Sequence, residues 1–286
     1  VKRDPLIRRD KVFAVLPTAL TLGNGICGFG AITFASRWAN YDTPTSLFVA
    51  SCLIYLGMVL DAFDGRTARW VNQQSEFGAQ LDSLCDAITF GAAPAFLMIQ
   101  FSVTYGYHPR LLWMVGALYV VCTVLRLARF NVESDDGGKH PKDFTGLPSP
   151  AAAAVVAAFP MMAFGPTVLA DPAYDNMWGP EIGSALDWVA ARVLPIVTFV
   201  AAGLMVSRIR YHRHLLARGR GDGPAIIRLV FIVMMIAAIP RVAAPLLSCW
   251  YAFATPAQLL WERYPRRWFA RPALSSVPGD EGREAG

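Results

Sequence analysis

An all-α, polytopic integral membrane helical bundle is the fold class this sequence predicts, and three observations carry it. Hydrophobic residues fill 55% of the 286 positions, and mean hydropathy is +0.38. Apolar windows of about twenty residues, the length a helix needs to cross a bilayer, recur along the chain. Basic residues collect in every second connection between those windows, at 2–11, 66–74, 126–142, 208–220 and 263–271, whereas 40–45 has none and 171–187 is acidic. Short loops rich in lysine and arginine stay in the cytoplasm, so the alternation predicts about eight spans in the cell membrane with both termini cytoplasmic.

Residues 1–15 mix Lys2, Arg3, Arg8, Arg9 and Lys11 with Leu6, Ile7, Val12 and Phe13. That pattern suits either a short interfacial helix on anionic headgroups or a solvated basic segment. The first apolar run reads as a complete span and not as a cleaved leader, since no small-residue cleavage site follows it. Spans are expected at 16–36, 46–70, 80–101, 111–132, 150–169 and 189–208. Pro148 and Pro150 fix the start of the fifth. A basic cytoplasmic loop, 209–224, leads to two further spans at 225–239 and 242–260, which share a Pro240-Arg241 turn that also reads as a kink. The tail from 263 has proline, glycine and charge without periodicity, so disorder is expected beyond Ala273. No internal repeat of fixed period is present.

The net charge of +5 and pI near 9.1 do not point to nucleic acid, because the bases flank apolar spans and form no single soluble face. Anionic membrane lipids are the better partner, at roughly 1 kcal/mol per surface lysine or arginine. Cys27, Cys52, Cys85, Cys122 and Cys249 all fall inside expected spans without pairing or metal-type spacing, and read as small packing residues.

Chemistry concentrates at the ends of spans two and three. Asp61, Asp64, Gly65 and Ala68, with part of Arg69, share one helical stripe; Gly78, Asp82 and Asp86 share another on the next helix. Ionised side chains within a span cost several kcal/mol unless paired or functional. Two facing stripes make a four-carboxylate cup whose mutual repulsion a bound divalent cation relieves. Oxygen donors select Mg²⁺, Mn²⁺ or Ca²⁺ over zinc. Gly65, Ala68 and Gly78 leave room against the backbone for a bulky ligand, although small residues at this spacing also serve helix packing. Arg69 beside a metal suits a phosphate or diphosphate.

The spacing D-x2-D-G-x2-A-R-x8-G-x3-D-x3-D, filled from Asp61 to Asp86, resembles the signature of the CDP-alcohol phosphotransferases. The resemblance implies a six-helix core over roughly residues 16–208 and transfer of a phosphate-linked group from a CDP-linked donor to an alcohol, with release of CMP. It also implies a homodimer. Carried onto this chain, Asp61, Asp64, Asp82 and Asp86 become metal ligands, and Asp86 takes the proton of the attacking hydroxyl. Asp61, Asp64, Gly65, Ala68, Arg69, Gly78 and Asp82 shape the CDP site.

Outside the signature, residues 16–24 (LPTALTLGN), 125–131 (LRLARFN) and 146–150 (GLPSP) resemble the bacterial branch that uses CDP-diacylglycerol and L-serine to make phosphatidylserine. Thr18 departs from that branch, where asparagine often follows the proline. A serine pocket needs a cation for the carboxylate, which makes Arg126 and Arg129 candidates, with Asn131 and Ser149 adding hydrogen bonds. Bases at a cytoplasmic helix end also satisfy the positive-inside rule without a ligand. Two alternatives stay open: a glycerol-phosphate or inositol-phosphate acceptor, for which Arg208, Arg210, His212 and His214 offer bases, and a cation transporter, a class that also places carboxylates in spans.

Overall fold

The computed structural model describes residues 5–36, 43–71, 76–135, 144–169, 172–207, 209–211, 245–254 and 256. It is an all-helical bundle, as expected. The helices are α1 (Pro5–Ala35), α2 (Thr43–Val71), α3 (Glu76–Asp86), α4 (Ala93–Val103), α5 (Pro109–Asp135), α6 (Ser149–Leu169) and α7 (Pro172–Val206). A π-helical turn, Ala87–Ala92, joins α3 to α4 without a break. Among the described residues, five helical segments are long and apolar enough to cross a membrane: Pro17–Ala35, Thr43–Asp64, Phe77–Val103, Pro109–Val132 and Gly183–Val206. Helix α6 holds a shorter apolar stretch, Ser149–Ala163. Of the two later expected spans, residues 245–254 are helical, and 225–239 lies outside the described residues, as do the loop 212–224 and the tail from 257.

Helix α1 runs from Pro5 on into the first span, with Pro17 inside it. One local expectation is corrected. The acidic stretch 171–187 is no loop, since α7 begins at Pro172 and continues through it. Proline at a helix start has its φ preset and lacks only an N–H that would be unpaired there.

The third span is the most buried of the five and forms the centre. Phe90, Leu97, Met98 and Phe101 are fully buried along it, and α1, α5, α6 and α7 all pack around α4. Alanines 152–158 except Val155 and Val156 make α6 narrow enough to lie close against α2 and α7, the means by which membrane helices gain packing contacts. Large apolar residues such as Ile26, Phe29, Trp113 and Met114 point outward, as a bilayer-facing surface requires.

A short backbone clip closes one end of the bundle. Phe144–Thr145 (β1) pairs antiparallel with Arg210–Tyr211 (β2). The Gly146 N–H donates to the Ile209 carbonyl at 2.8 Å, and the Leu147 N–H to that of Leu204 at 3.0 Å. Gly146 has φ +85°, and a Cβ there would run into the Met205 carbonyl oxygen. Glycine alone satisfies both conditions. The clip fixes the start of α6, where the Pro148 carbonyl accepts from the Ala152 N–H at 3.0 Å.

Candidate active site

The site forms where α2 and α3 converge against α1. Helical spacing puts Asp61 and Asp64 on one side of α2, and Asp82 and Asp86 one turn apart on α3. One carboxylate oxygen from each of Asp61, Asp64 and Asp82 lies within 4.8 Å of the others. Asp86 ends α3 immediately before the π turn, and it is 8% exposed against 7% for Asp64.

Helix α1 orients these acids. Thr21 Oγ1 lies 2.5 Å from Asp64 Oδ2 and 3.0 Å from the Pro17 carbonyl oxygen. With one proton to give, the hydroxyl favours the charged acceptor. Asn24 Nδ2 donates to Asp86 Oδ1 at 2.9 Å. The π turn in turn holds α1, through Thr89 Oγ1 donating to the Asn24 carbonyl at 2.8 Å. Such turns break the regular ladder and recur at functional sites. Here the turn needs glycine opposite it. A Cβ on Gly28 would stand 2.7 Å from Thr89 Cα, and one on Gly57 would stand 2.6 Å from Thr89 Cγ2 and 2.9 Å from Asn24 Oδ1.

Three clustered carboxylates with only oxygen donors suit a hard divalent cation. Asp82 Oδ1 is buried without a hydrogen-bond partner, which is the state of an oxygen left for a metal or a ligand, since an unpaired buried acceptor is otherwise costly. The residues therefore fit Mg²⁺ or Mn²⁺.

Helix α5 supplies a cation and α6 a hydroxyl: Arg126 Nη1 donates to Ser149 Oγ at 2.7 Å. These two expected residues are brought together. Asn131 instead pairs with Ser83 on α3, its Nδ2 lying 2.9 Å from Ser83 Oγ, and so it ties α5 to α3. Arg129 lies on the exposed side of α5. Gly78 sits one turn before Asp82 on α3, and Gly65, Ala68 and Arg69 continue α2 with side chains outside the described set.

The sequence profile of the CDP-alcohol phosphatidyltransferase family matches residues 14–195, a stretch that holds every one of these groups. The chain belongs to that family. Among relatives of this CDP-alcohol phosphatidyltransferase is the CDP-diacylglycerol–serine O-phosphatidyltransferase of Mycobacterium tuberculosis, 40% identical over 152 residues, 52% of this chain and 50% of the relative. The Helicobacter pylori protein of the same name is 34% identical over 198 residues, 69% of this chain and 71% of the relative. The archaetidylserine synthase of Methanothermobacter thermautotrophicus is 37% identical over 154 residues, 53% of this chain and 60% of the relative. The chain thus matches about half the length of its mycobacterial relatives.

Sequence reasoning gave no role to Thr21, Asn24 or Thr89. Thr21 and Asn24 are three apart, so they share a face of the first span. Two polar side chains on one face of an otherwise apolar helix were the signal available.

Proposed function

We propose that the protein transfers the phosphatidyl group of CDP-diacylglycerol to the hydroxyl of L-serine, releasing CMP. The observation that carries the reading is the convergence of Asp61, Asp64 and Asp82 within 4.8 Å, beside the buried Asp86. The serine acceptor is supported by the names of the relatives and by the pairing of the Arg126 guanidinium with Ser149.

In this reading Asp61, Asp64, Asp82 and Asp86 hold Mg²⁺ or Mn²⁺, and Gly65, Ala68, Arg69 and Gly78 shape the CDP site. Bound metal supplies positive charge to the diphosphate as CMP departs. Arg126 and Ser149 orient the acceptor so that its hydroxyl faces the phosphorus bearing the lipid, and fixed orientation lowers the barrier. Asp86 accepts the hydroxyl proton at the oxygen that Asn24 does not hold. The serine O–P bond forms, the P–O bond to CMP breaks, and the proton stays on Asp86 until solvent removes it. The acids lie at the cytoplasmic edge of the membrane, where a lipid-linked nucleotide meets a soluble alcohol.

The test is CMP release by purified protein in nanodiscs carrying CDP-diacylglycerol. L-serine is expected to support release in the presence of Mg²⁺ or Mn²⁺, whereas glycerol 3-phosphate and myo-inositol 1-phosphate are not. The reverse preference would overturn the acceptor and leave the family intact. Asp86→Asn is expected to remove turnover while retaining CDP-lipid binding, and full activity in that variant would exclude Asp86 as the base.

A further inference from the structure

Two buried polar atoms on α5 have no hydrogen-bond partner: the Tyr119 hydroxyl and Arg126 Nε. Tyr119 is the largest fully buried side chain of the described residues, at 0% exposure. It stands two helical turns before Arg126 on the same face of α5. The polar residue between them is not available, because Thr123 Oγ1 donates to the Tyr119 carbonyl at 2.9 Å. Arg126 has already committed Nη1 to Ser149. An unmade hydrogen bond at a buried hydroxyl or guanidinium costs more than a made one returns, so a pair of them on one helix face calls for a ligand with acceptor atoms to share.

We propose that Tyr119 is a specificity-determining residue of the acceptor pocket, donating its hydroxyl hydrogen to the carboxylate of the acceptor while Arg126 Nε–H donates to the same group. This rests on the serine-acceptor reading above and adds to it a neutral donor two turns below the cation. A carboxylate satisfies both donors and the Arg126 charge at once. An acceptor with a hydroxymethyl group in that place leaves the two donors without an anionic acceptor to share, and rejection by unpaired buried groups discriminates strongly.

The experiment compares L-serine with serinol, which replaces the carboxylate by a hydroxymethyl group, in wild type and Tyr119→Phe. The substitution removes only the hydroxyl. CDP-lipid affinity and thermal unfolding of the variant are measured alongside, to show that it is folded. The expected result is a KM for L-serine raised about tenfold, the loss of one hydrogen bond to a charged group, with KM for serinol unchanged. The preference for serine over serinol then falls by the same factor. Unchanged serine kinetics in folded Tyr119→Phe would overturn the role of Tyr119 alone. So would an equal rise in KM for both alcohols, which marks a packing effect. Wild type that uses serinol as well as serine also overturns it, and wild type that uses neither overturns the acceptor reading along with it.

Discussion

Asn24 on α1 donates its side-chain N–H to Asp86 Oδ1 on α3 at 2.9 Å, and the Asn24 backbone is itself held by Thr89 three residues beyond Asp86. The carboxylate is thereby aimed by a different helix from the one that carries it. Asn24→Ala is expected to lower kcat about 10- to 100-fold, the equivalent of one hydrogen bond to a charged group. KM for CDP-diacylglycerol should stay near the wild-type value. Steady-state kinetics separate the two, and a fall in lipid affinity with kcat intact would contradict the orienting role.

Chelation of divalent cations is expected to stop CMP release, with Mg²⁺ or Mn²⁺ restoring it. Thr21 holds Asp64, a metal ligand in the proposed reading, so Thr21→Val should weaken Mn²⁺ binding about tenfold, the usual scale for such supporting groups. A titration followed by electron paramagnetic resonance reads this directly. Asp82→Asn, which removes a ligand in this reading, should weaken it further.

Gly57 faces the π turn at a distance no side chain tolerates. Gly57→Val is expected to destabilise the detergent-solubilised protein by about 1–3 kcal/mol, the cost of overfilling a packed contact. Gly203→Ala provides the comparison, because nothing lies within 4 Å of a Cβ placed there. Thermal unfolding should separate the two variants clearly.

Gly146 and Gly106 both have positive φ, +85° and +87°. Only Gly146 also abuts backbone, since a Cβ on Gly106 meets nothing within 4 Å. Gly106→Ala should carry only the left-handed backbone cost of about 1–2 kcal/mol. Gly146→Ala should in addition loosen the clip that fixes the start of α6, displace Ser149 from Arg126 and raise KM for serine. Kinetics of the pair distinguish local strain from a displaced acceptor wall.

The bundle and the acidic core of the site were legible in the sequence, because membrane length and charge leave a strong imprint and the spacing from Asp61 to Asp86 sets helical faces directly. Asn131 shows where legibility ends. Its place near the site followed from its position after Arg126 and Arg129, but its pairing with Ser83 depends on how α5 and α3 are brought side by side. Thr21 and Asn24 were hidden for the same reason: their partners lie 43 and 62 residues away. The π turn left no periodic trace, since one widened turn in a continuous apolar run changes no pattern a sequence displays. Acidity at 171–187 predicts solvent, which a helix such as α7 meets as readily as a loop does.

The contact of the Thr89 backbone with Gly28 and of its methyl with Gly57 is a matter of atoms touching, independent of cargo. The helices that carry the acids are consequently held against one another by packing alone, and in the proposed reading the frame of the site needs no rebuilding between one substrate and the next.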